Sequence, residues 1–246
     1  NAKNYANISS PTSSSNPFYE IRSQITSFKF GDSVACVPNY LCYGMNNLQS
    51  IIIPNSVITI GNSAFKGCTS FTSIALDDGV TTIGDYTFQD CTSLVSISIP
   101  ENVTNIGRNA FSGCSSLTDV VWNAKNCEIV ATGSPYASTT PFYGVRSQIK
   151  LFTFGDNVAN IPNWLCYGMD NLNSIIIPYN VASVGYGTFR KCSSLASVVW
   201  NAKITEDYQN KNYAPFLDSS ISSFIFGDSV QHVPAFLCYN LSLLPT

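Results

Sequence analysis

"LQSIIIPNSVITIGNSAFKGCTS" occupies Leu48–Ser70. "FTSIALDDGVTTIGDYTFQDCTS" (Phe71–Ser93) and "LVSISIPENVTNIGRNAFSGCSS" (Leu94–Ser116) follow it without a gap. Each stretch is 23 residues long. Self-similarity at a fixed period of this size marks a solenoid, in which one supersecondary unit repeats and stacks. Counting from Leu48 as position 1, apolar residues return at positions 1, 4, 6, 10, 13, 17, 18 and 21. In the first unit these are Leu48, Ile51, Ile53, Val57, Ile60, Ala64, Phe65 and Cys68. Positions 4 and 6 flank position 5, and that alternation predicts a short strand with position 5 facing out. Pro54 ends the strand, because proline has no N–H for a ladder. Gly61 marks a second turn. "NSAFKGC" has apolar spacing i, i+1, i+4 and fits one helical or 3-10 turn. One such coil cannot bury its own apolar side. Stacked coils bury it against each other, with their strands in a parallel ladder.

The period extends over almost the whole chain of 246 residues. Units begin at Ile25, Leu48, Phe71, Leu94, Leu117, Ile149, Leu172, Leu195 and Ile221. Residues 1–24 read as a partial unit without its opening strand. The expectation is an α/β repeat over 1–246: a single solenoid domain of about ten coils, with a parallel ladder and short helical or 3-10 turns. Neither end carries a polar cap in sequence, so a longer parent protein or self-association through an end is expected. A second order of repetition overlies the first. "FGDSV…VPNYLCYGM" (Phe30–Met45), "FGDNV…IPNWLCYGM" (Phe154–Met169) and "FGDSV…VPAFLCYNL" (Phe226–Leu241) form one subtype. "VVWNAK" opens another at Val120 and Val198, and tandem duplication of a block of several coils accounts for the order.

Composition narrows the function. Charged residues are 11% of the chain, hydrophobic residues 45%, and the net charge is −3. A nucleic-acid binder needs clustered Lys and Arg, which this chain lacks. No apolar run is long enough to span a membrane. "NAKNYANISS" has no basic stretch leading into an apolar run, so no signal peptide is expected there.

The units at Leu48, Phe71 and Leu94 resemble the BspA-type (treponemal-type) leucine-rich repeats. That family's unit reads roughly L-x-x-I-x-I-P-x-x-V-x-x-I-G-x-x-A-F-x-x-C-x-x. The match is looser in the FGD units, where Cys42, Cys166 and Cys238 stand at the Phe position and Met45, Met169 and Leu241 at the Cys position. The WNAK units depart most. The resemblance implies a leucine-rich-repeat solenoid of a cell-surface or secreted protein, usually bacterial. It also implies adhesion to host extracellular-matrix or neighbouring-cell proteins. It supplies no catalytic residue and no cofactor.

Nine cysteines raise the question of disulfides. Cys68, Cys91, Cys114 and Cys192 share position 21, and Cys42, Cys166 and Cys238 share position 18. Sites that accept Cys, Met, Leu or Phe require apolar volume, so these read as free core thiols. Cys36 and Cys127 lie off the ladders and read as the more reactive thiols. No C-x₂₋₄-C or paired His gives a zinc pattern. His232, the single histidine, reads as a polar turn residue before Pro234. Asp32, Asp156 and Asp228 read as turn residues whose side chains bond the backbone.

Two surfaces are candidate binding sites. Position 5 reads Lys29, Ile52, Ala75, Ser98, Val121, Thr153, Ile176, Val199, Ile225. Its C-terminal half, Val121 to Ile225, forms an outward apolar strip that suits a protein partner. The second surface is made of inserted loops that each end in Pro-Phe, at Phe18, Phe142 and Phe216. That Phe is expected to re-enter the core at position 18. Tyr5, Tyr136, Tyr208 and Tyr213 on these loops are candidate contacts, since exposed Tyr combines apolar area with a polar tip. The reading is therefore a non-enzymatic recognition protein without a metal site. The alternatives are a structural spacer and a carbohydrate-binding module, for which Trp164 at position 16 could serve as a platform.

Overall fold

The computed structural model describes residues 8–12, 16–129, 139–204 and 206–244. The chain winds into a parallel solenoid of about eight turns of roughly 23 residues. Eight is slightly fewer than the ten expected. Each coil has three sides. A front strand covers positions 3–6, as in Ser96–Ile99, and a second strand of two residues covers positions 12–13, as in Asn105–Ile106. The third side is a run of turns.

Front strands pair in parallel and in register from coil to coil, so Ser98 lies beside Val121 and Val121 beside Thr153. From Ser96–Ile99 to Ser197–Trp200 their burial alternates as position 4 in, 5 out, 6 in, while at Ser223–Phe226 the position-6 ring of Phe226 is exposed. Second strands form a ladder of five, from Cys36–Val37 to Glu128–Ile129. On the third side the turns are isolated i→i+3 bonds, such as Tyr43 N–H to Tyr40 O and Met45 N–H to Cys42 O. Alternate N–H groups reach the next coil instead: Tyr40 to Asn62 O, Cys42 to Ala64 O and Gly44 to Lys66 O. Positions 16 and 20 hold left-handed backbone to permit this, as at Tyr40 (φ 58°), Ser63 (φ 53°), Asp90 (φ 61°) and Trp164 (φ 60°). Each non-glycine residue there carries strain of about 1–2 kcal/mol. The three stretches of 3-10 helix, Tyr19–Gln24, Tyr143–Gln148 and Lys211–Tyr213, all adjoin insertions. In the first two, Arg22 and Arg146 lie 3.9 Å over the rings of Tyr19 and Tyr143 and donate to their carbonyls.

The core runs the length of the molecule as columns of equivalent residues. Phe65, Phe88, Phe111 and Phe142 stack with centroid separations of 5.5, 5.3 and 4.8 Å. Phe142 and Phe216 thus re-anchor their insertions at position 18, and Phe216 stacks 5.1 Å from Phe189. Phe18 is only half-buried and meets Phe28 edge-on at 5.3 Å. The FGD coils follow a different volume rule. They carry Phe at positions 4 and 6 and the small Cys at position 18: Phe152, Phe154 and Cys166 in the best-packed case, all buried. The edge of Phe154 meets Phe189 of the next coil at 6.3 Å and fills the space a position-18 ring would take. Large and small side chains have exchanged places while the coil's core volume is kept. Cys166→Phe and Phe154→Ile should each cost about 2 kcal/mol, one by crowding and one by a void. The double variant should recover at least about 1 kcal/mol of their sum in urea titration, since the two sites share one space.

All nine cysteines are free thiols. The position-21 thiols of Cys68, Cys91, Cys114 and Cys192 donate to the position-18 carbonyl of the preceding coil at 3.0–3.2 Å. Ser219 Oγ does the same to Phe189 O at 2.7 Å, so a small donor at this site finds an acceptor, while Met45 and Met169 fill it by volume alone. Burial pushes Cys68, Cys127 and Cys192 up to about 12. Cys127 is therefore not the reactive thiol its off-ladder position suggested, being buried beside Glu128. Cys36 is exposed. Iodoacetamide should label Cys36 first and Cys238 next in the native protein, and the seven buried thiols only on unfolding; mass mapping of early Cys127 label would contradict this.

The FGD turns close through backbone, Val34 N–H to Gly31 O and Val158 N–H to Gly155 O. Among the described residues the side chains of Asp32, Asp156 and Asp228 do not make the backbone bond expected of them.

Candidate functional site

The outward row of the front strands is built by the pleat. In a strand, alternate side chains leave opposite faces, so positions 4 and 6 enter the core and position 5 enters solvent. Five candidate residues fall on this row in two groups. Val121 (38% exposed) sits beside Thr153, which is exposed. Ile176 (60%) sits beside half-buried Val199, and Val199 beside Ile225 (53%). Neighbours in register are about 4.8 Å apart, so the last three form one continuous apolar strip. The row beside it, position 3, is serine at Ser174, Ser197 and Ser223.

One residue of this face escapes position-5 counting. Leu151 stands at position 3, where most coils have serine, and is 50% exposed. It pairs in register with Asp119, whose carboxylate accepts from Thr118 Oγ1 at 2.5 Å. The signal was present as a break in the serine row. Ile52, at the N-terminal end of position 5, is more exposed than any of them at 78%.

The loop candidates fare differently. Tyr5 and Tyr136 lie outside the described residues. Tyr208 is buried, and its hydroxyl donates to Val184 O at 3.2 Å. Burial pushes that hydroxyl's pKa up. It anchors its insertion and is withdrawn as a surface contact. Tyr213 is half-buried and stacks on Tyr186, centroids 4.4 Å apart. Trp164 is half-buried, and its ring lies against Gly187, the equivalent residue of the next coil; a Cβ there would collide with it. That contact removes one face of the indole from use as a sugar platform. Trp122 and Trp200 are fully buried at position 6.

His232 has a partner that sequence order did not reveal. Its Nε2 lies 2.8 Å from Asp207 Oδ1, which also accepts the Ala235 N–H at 2.8 Å. The Ala235 backbone bond, then the His232 bond, lower the Asp207 pKa. Among the described residues, no group of three His, Cys, Asp or Glu could hold a metal ion, and no helix is long and apolar enough to cross a membrane.

Comparison with known proteins agrees with this architecture. The BspA type leucine-rich repeat region matches residues 12–134 and 136–244, in six copies. No curated protein matches. Among solved structures, the leucine-rich repeat protein of T. pallidum is 26% identical, with a TM-score of 0.53 over 69% of this chain and 78% of its own. A leucine-rich repeat protein from Bacteroides ovatus is 19% identical (TM-score 0.42; 90% of this chain, 66% of that one). A leucine-rich cell surface protein from Faecalibacterium prausnitzii is 18% identical (TM-score 0.42; 89% and 65%). The chain spans just under two thirds of the length of these last two. With nearly every residue inside the matched repeats, the chain belongs to the BspA-type leucine-rich repeat family.

Proposed function

We propose that this chain is a non-catalytic recognition solenoid, displayed on a cell surface or secreted, that adheres to proteins through its front strand face. The observation that carries this reading is the strip Ile176–Val199–Ile225. Strand propensity alone does not explain it. Threonine favours strands as β-branched isoleucine does, and Thr153 and Ser98 occupy the same row. Two isoleucines held in water, with half-buried Val199 between them, gain nothing from folding and much from a partner. The ladder is rigid before binding, so little side-chain ordering opposes association.

The test is surface-immobilised binding to a panel of extracellular-matrix and plasma proteins, with Ile176→Asp and Ile225→Asp alongside. Each variant should weaken binding by about tenfold or more, since a charge would be desolvated at the centre of the contact. Each should leave stability within about 0.5 kcal/mol, because the sites are exposed. Equal binding by all three proteins would move the site off this face. Absence of binding at micromolar concentration would overturn adhesion and favour a spacer role.

A further inference from the structure

A trench crosses the second face of the solenoid where the stacking of second strands is interrupted. The ladder runs unbroken from Cys36–Val37 to Glu128–Ile129. There the register divides. Glu128–Ile129 pairs with the coil before it, while the coil after it pairs with Asn126 instead, through a bridge to Asn160. Lys125 O takes both the Ala159 and Asn160 N–H groups. Asn160–Ile161 and Ser183–Val184 then form a separate pair. The described residues of the next coil form no second strand. Lys203 N–H bonds Val181 O, and the chain swings out until Tyr208 reaches Val184 O. The result is a cavity of about 560 Å³, floored by residues 160–163 and 182–186. Residues 127–129 wall one side and residues 206–209 the other. Both walls come from WNAK coils. They stand three coil steps apart, about 14 Å. The volume suits a small ligand.

The lining selects a chemistry. Asn160 Nδ2 donates to Asn126 Oδ1 at 2.5 Å, and Ser183 Oγ donates to Asn160 Oδ1 at 2.6 Å, so the floor is polar and fixed. Asn163 gives its Oδ1 to the Tyr186 N–H at 2.7 Å, which leaves its Nδ2 to offer a ligand. Glu128 and Glu206 form no ion pair among the described residues. At the rim Tyr186 is 41% exposed, and its ring is braced by Tyr213. Among the described residues no Lys or Arg lines the trench. Asp207, the third carboxylate of the lining, is held by His232 at 2.8 Å, so an anion would meet Glu128 and Glu206 with no counter-charge from a Lys or Arg. An apolar ligand would strand Asn163 Nδ2 and the carboxylates of Glu128 and Glu206. A neutral polyhydroxylated ligand suits the groups left open: its hydroxyls donate to Glu128 and Glu206 and accept from Asn163 Nδ2, and its C–H groups rest on the exposed part of the Tyr186 ring.

We propose that this trench binds a short neutral oligosaccharide. The site is separate from the front strand face, so the two readings stand or fall independently. The experiment is calorimetric titration, with saturation-transfer NMR, of maltotriose, cellotriose, mannotriose and N,N′-diacetylchitobiose. At least one should bind with millimolar affinity or better. Tyr186→Ala and Glu206→Gln should each weaken it by about tenfold, with unchanged circular dichroism, and Ile176→Asp should not alter it. Failure of all four sugars to bind, or binding that survives both trench variants, would overturn the assignment. Hexalysine is the counter-probe. Salt-sensitive binding of that peptide, lost in Glu206→Gln and without any sugar binding, would reassign the trench to cationic peptides.

Discussion

Phe111→Ala should lower stability by about 4 kcal/mol, the largest effect expected of any single change in the solenoid. Phe111 is fully buried and stacks between Phe88 and Phe142, at 5.3 and 4.8 Å. Removing it opens a void and ends two ring contacts, each worth about 0.5–1.5 kcal/mol beyond its area. A solenoid makes the loss more consequential, because each coil touches only its neighbours. The backbone ladders remain, but the column of rings is cut between the coils at Phe71 and Leu117. Urea unfolding should therefore shift to lower concentration and separate into two phases. The tryptophans, Trp122, Trp164 and Trp200, all lie on the C-terminal side of the cut. Fluorescence should follow one phase and circular dichroism both. A single transition with a loss below about 1 kcal/mol would show that the backbone ladders, and not the rings, join the coils.

Gly84→Ala should cost about 3 kcal/mol. A Cβ at Gly84 would lie 2.5 Å from Asn62 Oδ1, 2.7 Å from Asn62 N and 2.8 Å from Gly61 C. Two of those atoms are backbone and cannot step aside, so the coils must part or the new methyl must distort its own turn. The displaced side chain matters too. Asn62 Oδ1 accepts the Asp85 N–H at 2.8 Å, one rung of a series in which Asn39 serves Asn62, Asn62 serves Asp85 and Asp85 serves Arg108. Losing a rung adds about 1 kcal/mol. Gly31→Ala is the control: nothing lies within 4 Å of its Cβ, and it should change stability by no more than about 0.5 kcal/mol. Equal costs at the two glycines would rule out inter-coil crowding as the cause.

That glycine shows where sequence reading succeeds and where it stops. The period, the front strand, the core positions and the re-entry of Phe142 and Phe216 were legible, because each depends on apolar spacing along one chain. The turn at Gly61 and Gly84 was also legible, but its reason was not. The constraint comes from the backbone and the Asn62 side chain one coil earlier, 22 residues away in sequence, and no local rule contains it. The volume exchange between Phe154 and Cys166 was likewise visible only as a departure from a motif. Tyr208 misled for the converse reason: a polar insertion reads as surface, while one residue within it turns inward to pin the loop. The trench was illegible altogether. It arises from a register split at Asn126 that leaves no trace in the repeat's own pattern.

Among the described residues the backbone hydrogen bonds between coils lie along the long axis, on the front, second and third sides alike. A pull applied at the two ends therefore loads them along their length, and only those of the outermost coil give first. Each coil that peels away frees about 23 residues, or roughly 75 Å of chain, before the next rung takes up the tension. The molecule would lengthen coil by coil, in longer steps at the coils of Leu117 and Leu195, which hold 32 and 26 residues.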